Sequence, residues 1–284
     1  MSLRPRTLAP VLTMLVSLSA DATDRFTDVE ITVTPMGGAM HMLSGQGGNI
    51  GVSAGEDGIL IIDDQYEPLA EKIAQSLSKL GSDSPKFIIN THYHGDHTGS
   101  NSWFHTHKGS TIMAHENVRV RLLSDDNVVD AALPKVTYQD GINIYFNDET
   151  LKIIHFPKGH TDGDSVVWIK EPNILHTGDL FFNGLFPYID LKSGGSVAGY
   201  IDSVKTLLEK IDESTKIIPG HGPQASKSDY ENFLSMIENT KAFVEKHKAE
   251  GKSVDDIVAM GLDKKWKSWH WEFITEEKWI RTLY

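Results

Sequence analysis

The 284-residue chain contains no cysteine, and it has fewer positive than negative charges. Without cysteine it can form no disulfide, and it offers neither a thiolate nucleophile nor a thiolate metal ligand. Its 27 Lys and Arg residues against 39 Asp and Glu residues give a net charge of −12. This balance argues against binding nucleic acid by neutralising phosphates, and we expect a small-molecule partner instead.

The sequence also lacks an apolar run long enough to cross a bilayer. Its N-terminal apolar stretch, residues 8–18, follows Arg4 and Arg6 and precedes small residues. This order is typical of a secretory signal peptide, although a disordered tail is the alternative. We predict a signal peptide over residues 1–22 and a periplasmic or secreted protein; without export it would be cytoplasmic. No linker divides the remainder, so residues 23–284 are predicted to form a single domain.

Short apolar runs separated by glycine-rich turns predict an antiparallel β-meander in the first part of the chain. The predicted strands are residues 29–34, 39–43, 49–53 and 58–62. Apolar residues at helical spacing then predict a helix that begins near Pro68 and ends at Gly81. A compact apolar strand is predicted next, at residues 86–90.

The second half of the chain repeats this order. Residues 142–177 predict strands, residues 196–210 predict a helix with one apolar face, and residues 216–219 predict a last short strand. The C-terminal part is predicted to be helical, and Ser228 and Glu231 have the spacing of a capping box. Because each half is a meander followed by helices, we predict two sheets packed face to face with helices outside.

The densest group of chemically active side chains is His92, His94, Asp96 and His97, directly after the predicted strand at residues 86–90. Alternate side chains of an extended segment share a face, so His92 and His94 point the same way. If a turn at Gly95 opens a helix, Asp96 and His97 can face the same cavity from another side. Imidazole nitrogens and carboxylate oxygens are ligands that suit zinc.

Two metal ions need more ligands than this one segment provides, and three further candidates follow predicted strands. They are His160, Asp179 and His221, and each stands beside a glycine. A glycine lets a loop approach an ion without steric conflict. We therefore predict that these three side chains join the histidine cluster.

The whole pattern resembles the metallo-β-lactamase superfamily of hydrolases. His-x-His-x-Asp-His, a distant His, an Asp and a Pro-Gly-His occur in the order of that superfamily, and a run at residues 55–63 that ends in Asp63 matches as well. The resemblance covers nearly the whole chain after residue 30. It implies an α/β (α+β) fold, a four-layer αββα sandwich with the metals at one edge.

The resemblance also implies a role for each candidate. His92, His94 and His160 would bind a first metal, Asp96, His97 and His221 a second, and Asp179 would bridge them. The metals would be two zinc ions, with iron or manganese as alternatives. Asp63 would orient a ligand loop. A metal-bound hydroxide would be the nucleophile, and Asp96 would orient it or shuttle its proton.

The implied reaction is hydrolysis of an activated acyl bond. Chain size, the predicted export and the lack of large inserted domains favour a β-lactam, whereas β-lactamases proper usually carry Cys or Ser at the position of Asp179. A lactone or thioester hydrolase is the alternative within the superfamily. A non-catalytic metal-binding scaffold or sensor is the alternative from another class.

Side chains outside the ligand set are weaker candidates. Tyr93, Asn183, Tyr188 and Ser193 are predicted as substrate-pocket contacts, although Tyr93 could equally pack against the sheet. The aromatic cluster near the C-terminus is predicted to serve core or interface packing rather than ligand stacking. Its members are Trp266, Trp269, Trp271 and Phe273.

Overall fold

The computed structural model describes residues 24–284, and the predicted signal peptide, residues 1–22, lies outside this range. Within the described residues, no helix is both long and apolar enough to cross a membrane.

The first sheet is mixed, and its strands follow one another in chain order. The strands are β1 (Thr32–Gly37), β2 (Met40–Ser44), β3 (Ile50–Gly55), β4 (Gly58–Ile62), β5 (Phe87–Asn90), β6 (Thr111–His115) and β7 (Val136–Tyr138). Strands β1 to β4 form the predicted antiparallel meander. Strands β4 to β7 pair in parallel, so each connection must cross over the sheet.

The second sheet has the spatial order β12-β11-β10-β9-β8. Its strands are β8 (Gly141–Phe146), β9 (Glu149–Phe156), β10 (Asp164–Ile169), β11 (Ile174–His176) and β12 (Lys216–Ile218). Strands β8 to β11 are antiparallel neighbours, and β12 pairs in parallel with β11. The carboxyl ends of β11 and β12 therefore meet at one edge of this sheet.

Helices cover the outer faces of both sheets. They are α1 (Ala70–Ser78), α2 (Gly95–Thr98), α3 (Asn101–Lys108), α4 (Glu116–Leu123), α5 (Val197–Leu208), α6 (Lys227–Ala249), α7 (Val254–Met260) and α8 (Glu276–Leu283). A 3₁₀ helix at Lys264–Trp269 lies between α7 and α8.

Apolar side chains form separate cores between the layers. In β4, Leu60 and Ile62 point between the two sheets, and Ile61 points toward α1. This alternation is the two-residue period of a strand that is buried on both faces. A third core packs the second sheet against α5, α6 and α8. The result confirms the predicted four-layer αββα sandwich.

The predicted capping box at Ser228 and Glu231 is wrong by two residues along the chain. The N-cap of α6 is Ser226, whose hydroxyl accepts a hydrogen bond from the amide of Asp229. The Asp229 carboxylate in turn accepts one from the amide of Ser226 at 2.8 Å. Ser226 has the extended backbone that an N-cap needs, so the helix already begins at Lys227.

Candidate metal centre

Loops from both sheets bring the seven predicted ligands to one edge of the sandwich. His92 and His94 follow β5, and the short helix α2, which begins at Gly95, carries Asp96 and His97. The other three ligands come from the second sheet: His160 lies between β9 and β10, Asp179 follows β11, and His221 follows β12.

The first cluster consists of His92, His94, His160 and Asp179, whose ligand atoms all lie within 4.8 Å of one another. His160 Nε2 is 2.8 Å from His94 Nδ1 and 3.4 Å from Asp179 Oδ2. His92 Nε2 is 3.7 Å from the same carboxylate oxygen. Two ligands about 2.1 Å from one tetrahedral ion are about 3.4 Å apart, so these separations suit a shared ion.

The second cluster consists of Asp96, His97 and His221, again with ligand atoms within 4.8 Å of one another. His221 Nε2 lies 3.2 Å from Asp96 Oδ2. The other oxygen of Asp179 faces this cluster, because Asp179 Oδ1 is 3.1 Å from His97 Nε2 and 3.4 Å from His221 Nε2. The carboxylate of Asp179 thus lies between the two clusters, with one oxygen toward each.

Hydrogen bonds to one nitrogen of each imidazole direct its other nitrogen into the clusters. The outer nitrogens of His97 and His160 meet Asp63 Oδ2 and the carbonyl of Tyr188, both at 2.7 Å, which leaves each Nε2 for a metal. The hydroxyl of Thr91 donates to Asp63 and can accept from His92 Nδ1 at 3.1 Å. These contacts fix the tautomers that metal-binding histidines use.

Asp63 lies behind the ligands, as an orienting group would. It is fully buried with a left-handed φ of 64°, and its Oδ1 accepts the amide hydrogen of Thr91 at 2.7 Å. The same carboxylate contacts His97 and Thr91 through Oδ2. Asp63 therefore connects the end of β4 to both ends of the histidine segment.

Asp190 is a further orienting carboxylate, and sequence reasoning missed it. Its Oδ2 accepts a hydrogen bond from the hydroxyl of Tyr93 at 2.7 Å and lies 3.2 Å from His94 Nε2. Burial would raise the pKa of Asp190, but hydrogen bonds from Tyr93, Ser193 and His94 lower it to about 2. Donation from Nε2 to this ionised group would leave Nδ1 of His94 for a metal.

Two buried atoms have room for a further partner. His92 Nε2 and Asp179 Oδ1 are shielded from solvent, and within the described residues neither makes a well-aligned hydrogen bond, although Asp179 Oδ1 lies 3.1 Å from His97 Nε2. Leaving a buried polar atom unpaired costs about 1–3 kcal/mol. A side chain at Gly48 would overlap the ring of His97, and one at Gly220 would overlap the carboxylate of Asp179. The donors and the space around them fit a pair of divalent metal ions.

The pKa shifts of the candidate ligands also indicate that the clusters favour bound positive charge. Burial would lower the pKa of His97, but Asp179 and Asp96 outweigh it and hold the pKa well above its usual value. Burial likewise opposes the effect of Asp179 on His221, whose pKa is nevertheless raised to about 9. For His160, burial prevails and lowers the pKa to about 4. Metal ions would replace protons at the raised histidines, so metal affinity should increase with pH.

A cavity of about 630 Å³ opens above the two clusters. Aromatic side chains line much of it: Tyr66, Tyr93, Phe182, Tyr188, Trp271 and Phe273. Its acidic lining consists of Asp96, Asp179, Asp190 and Glu272. Among the lining residues, Arg25 is the one side chain with a permanent positive charge. The cavity therefore combines a polar floor with aromatic walls.

The predicted pocket residues separate into two pairs. Tyr93 and Tyr188 line the cavity. Asn183 and Ser193 do not: the side-chain amide of Asn183 donates to the carbonyl of Pro223 at 3.1 Å, and the hydroxyl of Ser193 lies 2.8 Å from that of Tyr93. Asn183 thus holds a loop, and Ser193 contacts the cavity wall from behind.

The C-terminal aromatic cluster divides in the same way. Trp266 and Trp269 are buried in the core against the second sheet, as predicted. Trp271 also packs against this core, and it lines the cavity together with the half-exposed Phe273. The loop between the 3₁₀ helix and α8 turns back toward His221, a placement that depends on tertiary structure.

Comparisons with known proteins agree with this architecture. The family model described as Metallo-beta-lactamase superfamily matches residues 27–221. An acyl-coenzyme A thioesterase from Bos taurus is 28% identical over 159 residues, which cover 48% of this chain and 56% of the relative. The match therefore spans little more than half the length of that relative. A metallo-beta-lactamase type 2 from Bacillus cereus is 24% identical over 181 residues, covering 63% of this chain and 69% of the relative.

Solved structures show the same fold. A metallo-beta-lactamase from Pontibacter korlensis superimposes with a TM-score of 0.62 at 18% identity. The superposition covers 74% of this chain and 100% of that structure.

Proposed function

Because the chain belongs to the metallo-β-lactamase superfamily, we propose that it is a dinuclear zinc hydrolase that cleaves an activated acyl bond. The observation that carries the proposal is the pair of ligand clusters that share the carboxylate of Asp179. Two-metal sites of this kind are used for hydrolysis, because both the attacking and the leaving group can be stabilised.

The proposed ligand assignment follows the two clusters. His92, His94 and His160 hold one zinc ion, Asp96, His97 and His221 hold the other, and Asp179 bridges them. Iron and manganese accept similar nitrogen and oxygen donors and are the alternative metals.

The side chains around the clusters would direct the reaction. The chemistry that zinc supplies in such a site is a lowered water pKa, about 7, and polarisation of the substrate carbonyl. Asp96 faces the cavity, and burial would raise its pKa, but His97 and His221 lower it to about 2. Its carboxylate is therefore ionised and can accept a hydrogen bond from the attacking water, which would orient that water. The buried rings of His92 and His160 close the floor of the cavity to other water.

A thioester or lactone is the substrate class that we place first. Asp190 and Glu272 line the cavity in addition to the predicted metal ligands, against one permanent cation, Arg25. Apart from the proposed metals, Arg25 alone could pair with a further carboxylate on the substrate, whereas Asp190 and Glu272 would repel it, so this lining favours a substrate without one. The aspartate at position 179, where β-lactamases proper usually carry Cys or Ser, also favours a thioester or lactone over a β-lactam. The similarity to an acyl-coenzyme A thioesterase supports the same choice.

A β-lactam, the first choice from the sequence, is the second candidate. It is supported by the 24% identity to the Bacillus cereus enzyme over 63% of this chain. A β-lactam carries an activated amide whose cleavage needs the same site.

Metal analysis tests the centre itself. We expect close to two zinc ions per chain by mass spectrometry of protein purified without chelator. His97→Ala should remove the second ion and most of the hydrolysis, because His97 Nε2 lies between Asp96 and Asp179. His107→Ala is the matched control, since His107 is exposed and, among residues 24–284, its one side-chain hydrogen bond is to the carbonyl of Trp103. Unchanged turnover in His97→Ala would refute the ligand assignment.

A substrate panel separates the functional classes. We expect a higher kcat/KM for a thioester and a lactone than for a chromogenic cephalosporin or a phosphodiester. Hydrolysis of the cephalosporin alone would reverse the order that we propose. Two bound metals with no turnover of any substrate would indicate a metal-binding scaffold or sensor.

We further propose that the protein is exported to the periplasm or secreted. The support is the charged start and apolar stretch of residues 1–22. N-terminal sequencing of protein from the periplasm or medium should begin near residue 23, and an intact leader on cytoplasmic protein would contradict export.

A further inference from the structure

The loop that joins the 3₁₀ helix to α8 forms one wall of the cavity above the two ligand clusters, and hydrogen bonds hold it in place. The indole of Trp271 donates to the carbonyl of Phe186 at 2.9 Å, and the amide of Phe186 donates to the carbonyl of Trp269 at 2.8 Å. The amide of Trp271 also donates to the carbonyl of Ile274, whose side chain is buried. The wall is therefore a fixed part of the site.

The wall begins at a predicted metal ligand. The ring of Phe182 stacks on His221 with centroids 4.9 Å apart and planes 10° from parallel. The ring of Trp271 lies 5.7 Å from His221 and 6.1 Å from Phe182. Apolar aromatic surface thus lies directly beside the second cluster.

The wall continues to the first cluster. Phe273 packs edge-on against Tyr188 at 5.2 Å and lies 5.6 Å from Trp271. Tyr188 in turn lies 5.6 Å from His94. The aromatic surface therefore borders both clusters, where a scissile carbonyl would be placed.

Phe273 remains largely uncovered although it is part of this surface. It is 49% exposed and lines the mouth of the cavity. Apolar surface that lies next to a polar reaction centre and faces a cavity is typical of a ligand-binding site. A bound apolar group would remove this surface from water, which favours binding in proportion to the area covered.

We propose that Trp271 and Phe273 bind the apolar acyl chain of the substrate and select medium-length or aromatic acyl groups over acetyl. This inference rests on the proposed acyl hydrolysis. Glu272 also lines the cavity between these two residues in the sequence, and its charge would disfavour an acyl chain that ends in a carboxylate.

A series of thioesters with one small thiol leaving group and acyl chains from acetyl to decanoyl tests the proposal. For the wild type, kcat/KM should rise about 3-fold for each methylene over the first several carbons. Phe273→Ala should reduce kcat/KM about 10-fold more for decanoyl than for acetyl, because the truncated side chain leaves the chain end in water. Tyr145→Ala is the matched control, since Tyr145 is 75% exposed on the edge strand β8, outside the cavity lining.

Binding of the product carboxylates separates this inference from the proposed function. Calorimetric titration of the metal-loaded protein with octanoate and with acetate should show tighter binding of octanoate, and Phe273→Ala should remove that difference. If no thioester is hydrolysed but octanoate shows this preference, acyl hydrolysis fails and the acyl-chain site stands. Equal kcat/KM across the series, equal binding of the two carboxylates, or a uniform loss in Phe273→Ala would overturn the acyl-chain site.

Discussion

At the scale of single residues, Asp190 determines which nitrogen of His94 is available to a metal. Its carboxylate contacts His94 Nε2, and it also accepts hydrogen bonds from the hydroxyl of Tyr93 and from the backbone amides of Lys192 and Ser193. With so many donors, the carboxylate is held in one orientation. His94 therefore presents Nδ1 to the first cluster, whereas His160 presents Nε2.

We predict that Asp190→Asn weakens the binding of one of the two zinc ions about 10- to 100-fold, the usual effect of losing a carboxylate behind a histidine ligand. The loss arises because a neutral amide no longer fixes the tautomer of His94. Competition with a zinc-chelating dye measures both affinities. The matched control is Asp130→Asn, since Asp130 is exposed and pairs with Lys135 away from the site. Two unchanged zinc affinities would show that His94 needs no such partner.

The two orienting carboxylates differ in how far the sequence reveals them. Asp63 ends a run that resembles the superfamily, so its position behind the ligands could be predicted. Asp190 caps a short 3₁₀ helix, Leu191–Ser193, in the long connection between β11 and α5, and we recognised no motif around it in the sequence. Its contact with His94 spans 96 positions of the chain and exists only because the fold brings the two loops together.

At the scale of elements, the start of α6 shows that a sequence pattern can place a helix boundary two residues from its observed position. Ser226 and Ser228 both precede an acidic residue by three positions, and each could form a capping box. The structure places Ser226 in the extended conformation and Ser228 inside the helix. Local spacing does not distinguish the two, because the choice depends on where the preceding chain leaves β12.

The two serines make a matched test. We predict that Ser226→Ala lowers the free energy of unfolding by about 1 kcal/mol, because the amide of Asp229 loses its acceptor. Ser228→Ala should change it by less than about 0.5 kcal/mol. Urea denaturation measures both. A larger effect at Ser228 would restore the boundary predicted from the sequence.

Elements with strong apolar periodicity were predictable, and those without it were not. Helix α1 buries Ile73 and Leu77 on one face, and its pattern stands out in the sequence. Helix α3 buries one large apolar side chain, Phe104, and has no stripe to recognise. Strand β7 is three residues long at a sheet edge, which is too short for a period to appear.

A pair of stacked histidines links the two sheets. His115 at the end of β6 and His155 in β9 have ring centroids 3.6 Å apart and planes 8° from parallel. Burial lowers the pKa of both rings, and the charge of His155 adds to the effect at His115. The folded protein therefore binds protons here less readily than the unfolded chain does.

This difference predicts a loss of stability in acid. The contribution of the neutral stack is fully present above the unfolded pKa of about 6.5, and it is lost as the pH falls from there through the lower folded values. We predict that His155→Phe, which keeps a ring in the stack, loses less stability than the wild type between about pH 7.5 and about pH 5.5. Urea unfolding at both pH values measures this, with His107→Phe as the control. Equal losses in the wild type and His155→Phe would exclude the stack as the cause.

At the scale of the whole molecule, the sandwich could be predicted because each half of the chain repeats the order of strands followed by helices. The convergence of the seven candidate ligands could be predicted because the segments that carry them follow strands whose ends reach the same edge. The acyl-chain wall could not, since Trp271 and Phe273 come from a segment beyond residues 27–221, which the family model matches, and meet Phe182 and Tyr188 only in the folded protein. Four aromatic residues close in sequence acquire different surroundings in core and cavity only after the chain has folded back on itself.

The central claim is that the two clusters hold two metal ions on either side of Asp179. A crystal structure of the zinc-loaded protein with data at the zinc absorption edge tests it most directly. We predict two anomalous peaks, one enclosed by His92, His94 and His160 and the other by Asp96, His97 and His221. A single peak, or peaks away from these residues, would contradict the account.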